Sequence, residues 1–513
     1  FKYALAALSA LAAFLPMIVP QLFLLTWVAL VPLLLAVMAG AKGFFLPFKL
    51  FLVYGLVYYL CLYTWFYSLH PLSWQGVDDA KSIMIITLLW LAISVAQAIQ
   101  CSVNGIFYKI LNPKGIFKAI SIPFIWIIIE WLQELGIWGM PWGRLAVSQN
   151  MFLLEIQSVS LLGSLFLSWL IVAANAFLAY GILQGDFLKK AALIAAGIFL
   201  SNAAFGAVRL AVLSGRKYEQ SVKAAAIQGN LPSYEKWRNE GRDAFNVFMD
   251  LSEQAAAEGA KVILWPETAV PVYIAEGNYY DNAYRQFAEE HGVYLIVGGF
   301  IKSDEDSYSA LVMYAPDGSG GIEGAYRKRH LVPFGEFVPY RDIVVKIFPF
   351  LNDFTMLGTD LSHSKESIVF ESEYGKMSGL ICFDSIFSEL AFEDIKNGSE
   401  LILIGTNDSY YDKFANPFQH NAHAVLRAVE FDRFVLRAAN TGLSTIISPT
   451  GRVEESSQMR TECFISGNIS FSGGRTLYSY MGNAIVYLSI GYLVLAAIWF
   501  NKELLKKIIK REA

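Results

Sequence analysis

Long apolar stretches and an alternating polar block divide the chain into three parts. A transmembrane helix needs ~20 apolar residues, and seven stretches approach or exceed that length: about 3–18, 21–39, 44–68, 82–108, 117–134, 153–183 and 189–212. An eighth, at about 481–500, follows the polar block and precedes a basic tail. We therefore predict a multi-span α-helical membrane domain over residues 1–215, a polar domain over 216–475, and a last transmembrane helix with a cytoplasmic tail over 476–513.

The polar block alternates strand-like and helix-like runs. The strand candidates are Val222–Gln228, Lys261–Trp265, Val293–Phe300, Ala310–Ala315, Met377–Phe383, Leu401–Gly405, Phe434–Ala439 and Ser444–Ser448. The helical patterns are Tyr234–Glu258, Asp281–His291, Phe387–Lys396 and Pro417–Phe431. This alternation is typical of a layered α/β domain, in which functional groups gather after the carboxyl ends of strands. Glu267, Cys382 and Asn407-Asp408 each follow such an end.

Composition supports a membrane protein and gives no support to nucleic-acid binding, a zinc site or a disulfide framework. The chain has 513 residues, of which 55% are hydrophobic and 16% charged, whereas soluble proteins carry about 25% charged residues. The net charge of −4 gives no argument for nucleic acid. The four cysteines form no CxxC pair, so neither a zinc site nor a disulfide framework is indicated.

Charges in the connecting loops predict an orientation. Positive residues concentrate in alternate loops and in the tail, at Lys42, Lys49, Lys109, Lys114, Lys118, Lys189, Lys190, Lys502, Lys506, Lys507, Lys510 and Arg511. Because short loops rich in Lys and Arg stay in the cytoplasm, both termini should lie inside. Seven spans before the polar block and one after it then place that block outside the membrane.

An acid, an ammonium and a thiol follow one another at the ends of strand-like runs. They are Glu267 in Trp-Pro-Glu-Thr, Lys328 in a basic run, and Cys382 after Gly379–Ile381. A thiol reacts as the thiolate, which a neighbouring cation such as Lys328 favours. Glu267 suits a general base, and an acyl group on Cys382 would be a thioester. Together the three predict acyl transfer through a covalent intermediate.

Taken singly, each of these residues has a plain structural explanation. Cys382 could be an inert buried thiol, Lys328 a solvated surface charge, and Glu267 a helix cap. His420 and His423 lie near helical spacing, but no Cys or carboxylate nearby completes a metal site, so a structural role is favoured and no metal is predicted. The order and the context of the three residues make the functional reading the stronger one.

Those contexts resemble the nitrilase, or carbon-nitrogen hydrolase, superfamily. The matching motifs are Trp-Pro-Glu-Thr at 265–268, Tyr-x-Lys-x-His-Leu-Val-Pro-Phe-Gly-Glu at 326–336, Thr-Asn-Asp at 406–408, the Gln419-His420 helix with Arg427 and Glu430, and Arg-Ala-Ala-Asn-Thr-Gly at 437–442. The chain is most similar to the membrane family of apolipoprotein N-acyltransferases. Further support comes from Gln-Gly-Asn at 228–230 with Trp237, Pro141-Trp142, Ser148-Gln149, and Thr-Leu-Tyr at 476–478.

The resemblance implies a fold, an activity and partners. The polar block would be an extracytoplasmic nitrilase-like αββα sandwich on the periplasmic side of a bacterial inner membrane. Cys382 would take an acyl chain from a phospholipid donor and pass it to the α-amino group of a diacylglyceryl apolipoprotein, with no cofactor. Glu267 would be the base, Lys328 the oxyanion partner, Glu336 an accessory carboxylate and Trp237 a substrate-binding aromatic.

One departure from the family pattern keeps alternatives open. The nucleophile is followed by Phe383-Asp384, where the family usually has Tyr-Glu. A divergent acyltransferase with another acceptor therefore remains an alternative, as does a membrane-anchored amidase or hydrolase that sends water onto the thioester. A transporter or lipid-binding scaffold with an inert nitrilase-like domain is the third.

Overall fold

The structure is a computed structural model that divides into two compact units. It describes residues 1–40, 43–73, 77–216, 220–232, 235–347, 349, 352, 355, 358–410 and 415–512. The helical unit comprises Phe1–Tyr67, Ala80–Ser214 and Tyr480–Ala513, and the α/β unit comprises Ser68–Asp79 and Gly215–Ser479. Lys42 and Tyr234, which entered the predictions above, lie outside the described residues.

The first unit is built from apolar helices. Numbered along the chain, they are α1 (Lys2–Ile18), α2 (Thr26–Ala29), α3 (Val31–Met38), α4 (Leu46–Leu62), α5 (Asp79–Leu111), α6 (Phe117–Leu132), α7 (Leu153–Ile156), α8 (Val159–Leu162), α9 (Ser164–Gln184), α10 (Leu188–Ser214) and α17 (Ala484–Glu512). Within the described residues, six helical segments are long and apolar enough to cross a membrane: Pro20–Met38, Leu46–Leu69, Asp79–Leu111, Ser164–Gln184, Leu188–Ser214 and Ala484–Lys502.

Three of the predicted spans differ from the helices observed. Helices α1 and α6 have 17 and 16 residues, or about 25 Å at 1.5 Å per residue, short of the ~30 Å hydrocarbon core. The predicted span at 153–183 is wrong as one helix, because Gly163 at φ 78° ends α8 and begins α9. The count of eight spans, and the orientation that rests on it, stay predictions.

Buried polar contacts tie the helices of this unit together. Asn175 on α9 donates to the Thr26 carbonyl at 3.0 Å and accepts from the Leu30 amide at 2.9 Å. The Ser121 hydroxyl on α6 lies 2.8 Å from the Tyr492 hydroxyl on α17. In an apolar surrounding such groups must be satisfied internally, so these contacts hold specific helix pairs in register.

Over its described residues, the second unit contains two β-sheets and six α-helices. The strands are β1 (Ser221–Gln228), β2 (Val262–Leu264), β3 (Tyr273–Ile274), β4 (Tyr294–Ser303), β5 (Asp306–Tyr314), β6 (Tyr326–Arg327), β7 (Val369–Ser372), β8 (Gly375–Ile381), β9 (Leu401–Thr406), β10 (Phe434–Ala439), β11 (Thr445–Ile447), β12 (Val453–Ser456) and β13 (Cys463–Ser470). The helices are α11 (Arg242–Ala257), α12 (Tyr279–His291), α13 (Arg341–Ile347), α14 (Ser388–Lys396), α15 (Asn416–Phe431) and α16 (Leu477–Met481).

The sheet order places the three predicted catalytic strand ends in two facing sheets. One sheet runs β13-β1-β2-β4-β5-β6, with β3 also paired to β4, and the other runs β12-β11-β10-β9-β8-β7. Strands β1, β2 and β4 are parallel, as are β8, β9 and β10. Glu267 and Lys328 therefore follow strands of the first sheet, whereas Cys382 follows a strand of the second.

Alternating side chains produce a four-layered domain. On β1, Ala225 and Ile227 join a core with helical residues such as Phe248. Ala224 and Ala226 join a second core that also contains residues of the other sheet, among them Met377, Leu403 and Leu436. Because successive strand residues point to opposite faces, each sheet packs on its partner and on helices. The predicted αββα sandwich is confirmed.

Some local predictions were less accurate. The helix predicted over Tyr234–Glu258 begins only at Arg242, after a 3-10 turn at Arg238–Gly241. Strands β3, β7, β12 and β13 were not among the strand candidates, and β6 was predicted only as the end of a strand-like run before Lys328. The strand predicted to run through Phe383 ends at Ile381, because Cys382 has a φ of 49° that a strand cannot contain.

Candidate active site

A tight turn presents Glu267 after strand β2. The strand ends at Leu264, and Trp265-Pro266 carry the chain over Gly298 of β4, where an added Cβ would lie 2.1 Å from the Pro266 carbonyl oxygen. Thr268, directly after Glu267, has a φ of 48°. A β-branched residue in the left-handed region costs about 1–3 kcal/mol, so the surroundings must hold this turn in place.

Lys328 lies between two carboxylates. It follows β6, and its side chain is 1% exposed. Its Nζ donates to Oε1 of Glu267 at 2.7 Å and to Oε1 of Glu336 at 2.8 Å. The remaining oxygens are used as well, since Oε2 of Glu267 accepts from the Asn407 amide at 3.1 Å and Oε2 of Glu336 from the Val332 amide at 2.8 Å. The sequence-predicted residues Glu267, Lys328 and Glu336 thus form one cluster.

The two carboxylates keep Lys328 charged. Burial by itself would lower the pKa of the ammonium, but Glu267 and Glu336 outweigh it and hold the pKa well above its usual value. Burial also raises the pKa of Glu336, against the opposing effect of Lys328, and the charge of Glu267 raises it further. The cluster therefore carries a permanent cation, and any proton that it takes up goes to a carboxylate.

Cys382 is the first residue of a 3-10 turn after β8. Its φ of 49° turns the chain sharply at the end of the strand. Burial and the charge of Glu267 raise the pKa of its thiol, while Lys328 lowers it, and the net direction is upward. Lys328 favours the thiolate, as the sequence analysis expected, but burial and Glu267 outweigh it. The sulfur is therefore a thiol at rest, with a carboxylate close enough to interact with it.

Asp384 connects the segment around Lys328 to the turn at Cys382. The carboxylate is fully buried, and it accepts from the Tyr326 hydroxyl at 2.7 Å, the His330 amide at 2.7 Å and the Ile381 amide at 3.2 Å. It thereby joins the segments on either side of Lys328 to the last residue of β8. Phe383, the other residue predicted beside the nucleophile, packs edge-on against Phe387 with ring centroids 5.2 Å apart.

Trp237 lies outside the carboxylate–lysine cluster. Its side chain is 43% exposed, and it stacks on Phe300 with centroids 6.5 Å apart. An exposed aromatic of this kind can contact a substrate, so its predicted role stays a prediction. Within the described residues, no group of three or more His, Cys, Asp or Glu side chains is arranged to hold a metal ion.

Lys236 is a buried residue at the site that the sequence analysis did not identify. Its side chain is 2% exposed, and Nζ donates to the Thr268 carbonyl at 2.7 Å, so it supports the strained residue after Glu267. Burial lowers the pKa of its ammonium to about 7, against the opposing charge of Glu267. The sequence signal that could have identified Lys236 was its position directly before Trp237, in the segment that follows Gln-Gly-Asn.

Two family models match the chain in succession. Residues 6–177 match the model described as Apolipoprotein N-acyltransferase N-terminal domain, and residues 223–478 match the model described as Carbon-nitrogen hydrolase. Two relatives named Apolipoprotein N-acyltransferase are similar over nearly the whole chain. That of Gloeobacter violaceus is 29% identical over 92% of this chain and 89% of its own. That of Geobacter metallireducens is 29% identical over 98% and 96%.

Solved structures similar to the α/β unit come from the nitrilase superfamily. Nit3 of Saccharomyces cerevisiae covers 52% of this chain and 94% of its own, at 18% identity and a TM-score of 0.38. A superfamily protein of Xanthomonas campestris, XC1258, covers 52% and 97%, at 16% identity and a TM-score of 0.39.

The fold and the family matches together define a membrane protein whose α/β unit is a carbon-nitrogen hydrolase domain. The order of its two matched regions, helical first and hydrolase second, is shared with the curated relatives over most of their length. Within that class the chain is similar over nearly its whole length to proteins named Apolipoprotein N-acyltransferase, and its first part matches the N-terminal domain model of that family.

Replacing Gly298 with Ala should displace Glu267 and lower activity by about 100-fold, because ångström-scale shifts of a catalytic group cost that much. The added Cβ would meet the Pro266 carbonyl oxygen at 2.1 Å and the Glu267 Cα at 2.9 Å. Gly299→Ala is a matched control on the same strand, since its Cβ meets the flexible Ile274 Cδ1 instead. Acyl transfer rates of the two variants check this, and equal rates would contradict it.

Replacing Lys236 with Met should change how stability depends on pH. Between the folded pKa of about 7 and an unfolded value of about 10.4, the unfolded chain binds the extra proton. Wild-type stability therefore gains as pH rises through this window, whereas below pH 7 the cost of the buried ammonium is fully present. The unfolding temperature of Lys236→Met minus that of the wild type should be larger at pH 6 than at pH 9.5. A pH-independent difference would contradict a titrating Lys236.

Proposed function

We propose that this protein transfers a fatty acyl chain from a phospholipid, through a thioester on Cys382, to the N-terminal α-amino group of a diacylglyceryl-cysteine in an apolipoprotein. The observation that carries the proposal is the buried Lys328 ammonium, which contacts Glu267 and Glu336 and also acts on the Cys382 thiol. The similarity to relatives named Apolipoprotein N-acyltransferase over 92% and 98% of the chain supports the choice of acceptor.

The first half-reaction forms the thioester. As the Cys382 sulfur attacks the ester carbonyl of the phospholipid, Glu267 accepts the thiol proton, because the thiol is neutral at rest. Negative charge develops on the carbonyl oxygen, and the Lys328 ammonium stabilises it. Removal of one such donor typically costs about 2.7–4 kcal/mol of barrier. When the tetrahedral intermediate collapses, Glu267 returns the proton to the leaving alkoxide, and a lysophospholipid departs.

The second half-reaction uses the same groups in reverse. The acceptor amine attacks the thioester carbonyl, Lys328 again faces the developing oxyanion, and Glu267 accepts a proton from the amine. The carbon–sulfur bond breaks and the proton passes to sulfur, which restores the neutral thiol. Glu336 touches no reacting atom in this scheme, and its role is to hold Lys328 from the other side.

The membrane helices suit lipid substrates. Each buried CH₂ group is worth about 0.8 kcal/mol, so neither a phospholipid nor a diacylglyceryl peptide leaves a bilayer cheaply. Six helical segments able to cross a membrane keep the catalytic unit with its substrates. The excess of Lys in alternate loops and in the tail supports an orientation with both termini in the cytoplasm and the α/β unit outside.

Incubation of the full-length protein with phospholipid, without any amine acceptor, should leave an acyl group on Cys382. Intact-protein mass spectrometry should show one fatty-acyl addition, and peptide mapping should place it on Cys382, because the charges of Glu267 and Lys328 act on this thiol. Cys382→Ala should abolish both the adduct and transfer, whereas Cys463→Ala should retain them. Rapid release of fatty acid with no adduct would indicate a hydrolase, and a Cys382→Ala protein that still performed the cellular task would indicate a scaffold with an inert domain.

Single-cysteine labelling in intact cells should report the proposed orientation. A cysteine at Lys302, which is exposed in the α/β unit, should react with an impermeant maleimide added outside. A cysteine at Lys502, the final residue of the last apolar segment, should react only once the membrane is made permeable. The protein without added cysteines gives the background, and the reverse pattern would overturn the orientation.

A further inference from the structure

The main-chain carbonyl of Cys382 is held by two side chains that the proposed mechanism does not use. Ser385 Oγ donates to this carbonyl oxygen at 2.7 Å, and His420 Nε2 lies 3.1 Å from it and 2.9 Å from Ser385 Oγ. Cys382 has a left-handed backbone at φ 49°. That conformation is sparsely populated for a non-glycine residue, so it persists only where neighbouring groups hold it.

The other ring nitrogen of His420 faces a buried ion pair. Nδ1 lies 3.1 Å from Oδ1 of Asp408 and 3.2 Å from Nη2 of Arg437. Nη2 of Arg437 donates to Oδ2 of Asp408 at 2.8 Å. His420, Asp408 and Arg437 are each at most 3% exposed. Gly442 permits the approach of Asp408, since a Cβ there would lie 2.2 Å from Oδ2.

These contacts determine which nitrogen carries a proton toward the nucleophile. A carbonyl oxygen only accepts hydrogen bonds, so the Nε2 that faces Cys382 must be the donor. With Nε2 protonated, Nδ1 accepts from Arg437 in the neutral ring or donates to Asp408 in the charged ring. Both forms keep the ring in the same orientation, because one partner of the ion pair is always available to Nδ1.

Three separate elements meet at this point. His420 lies on α15, Asp408 follows β9, and Arg437 lies on β10. Thr406, the last residue of β9, donates to Oδ1 of Asp408 at 3.0 Å. The ion pair is thus connected to the Cys382 carbonyl through His420.

We infer that His420 is a positioning residue for the nucleophile: through Nε2 it holds the Cys382 carbonyl, and through Nδ1 it anchors that carbonyl to the Asp408–Arg437 ion pair. This inference rests on the proposed function, because it assigns the geometry of the same nucleophile. Loss of the Nε2 donor frees the peptide after Cys382 to rotate. The sulfur then moves relative to Glu267 and Lys328, and shifts of this kind cost about 100-fold in rate.

Replacing His420 with Gln or with Asn tests the roles of Nε2 and Nδ1 separately. His420→Gln can place an N–H near the position of Nε2 and keep the bond to the Cys382 carbonyl, whereas His420→Asn reaches only the Asp408 side. The full-length variants are compared in phospholipid vesicles by the single-turnover rate of Cys382 acylation, the KM for phospholipid and the unfolding temperature. We expect His420→Gln within about 5-fold of the wild-type rate and His420→Asn slower by about 100-fold, with KM unchanged in both.

The outcomes distinguish positioning from a general structural role. Equal acylation rates in the Gln and Asn variants, or a change confined to KM, would overturn the inference. If His420→Asn does not fold, Ser385→Ala removes the other donor to the same carbonyl and should slow acylation by about 10-fold. An unchanged rate in that variant would then overturn it.

A readout without substrate separates this inference from the proposed function. Alkylation of Cys382 by iodoacetamide, followed against pH by peptide mass spectrometry, requires no acyl transfer. The pH midpoint should be the same in wild type and His420→Gln and different in His420→Asn, because the sulfur changes its distance from Glu267 and Lys328. Absence of a wild-type thioester would reject the function alone, whereas identical midpoints in all three proteins would reject the positioning role.

Discussion

The α/β unit depends on burying one ammonium group between two carboxylates. An isolated charge in the interior costs several kcal/mol, and removal of a partner from a buried pair costs about 3–5 kcal/mol. Lys328 is tolerated because Glu267 and Glu336 contact it at 2.7 and 2.8 Å, and because main-chain amides occupy their other oxygens. The fold must therefore bring three parts of the chain together: the end of β2, the end of β6 and the turn at Glu336.

Burial and the same cluster of charges also act on the Cys382 thiol. Burial is the largest cause of its raised pKa, the charge of Glu267 raises the pKa further, and Lys328 opposes both. A hydrogen-bond donor that meets negative charge only as it develops in the transition state lowers the activation barrier, because it does not stabilise the ground state equally. Positive φ angles at Thr268, next to Glu267, and at Cys382 turn the chain after β2 and β8, and Lys236 and His420 contact the carbonyls of Thr268 and Cys382.

Much of the fold could be predicted wherever burial gives strands a clear pattern. Strands β1, β4, β8, β9 and β10 carry runs of buried apolar residues and were found within a few positions. Strand β12 is exposed throughout and β13 is mostly half-buried, so neither has an alternation that identifies it. They exist because β11 and β1 offer pairing edges. The apolar run at 153–183 gave no sign that Gly163 would divide it, since hydropathy measures solubility in lipid rather than backbone direction.

The amino-acid sequence by itself determined the division into apolar and polar parts and the αββα class. It also determined the motifs around Glu267, Lys328, Glu336 and Cys382. Periodicity and local motifs depend only on residues that are close together in the chain, so they can be recognised without the structure. Only the tertiary structure decided that Asp384 holds the segment around Lys328, that Lys236 supports Thr268, and that His420 connects Cys382 to a buried ion pair. Those contacts join residues 32 to 54 positions apart. Which buried polar groups pair at such separations is set by the packing of whole sheets and helices.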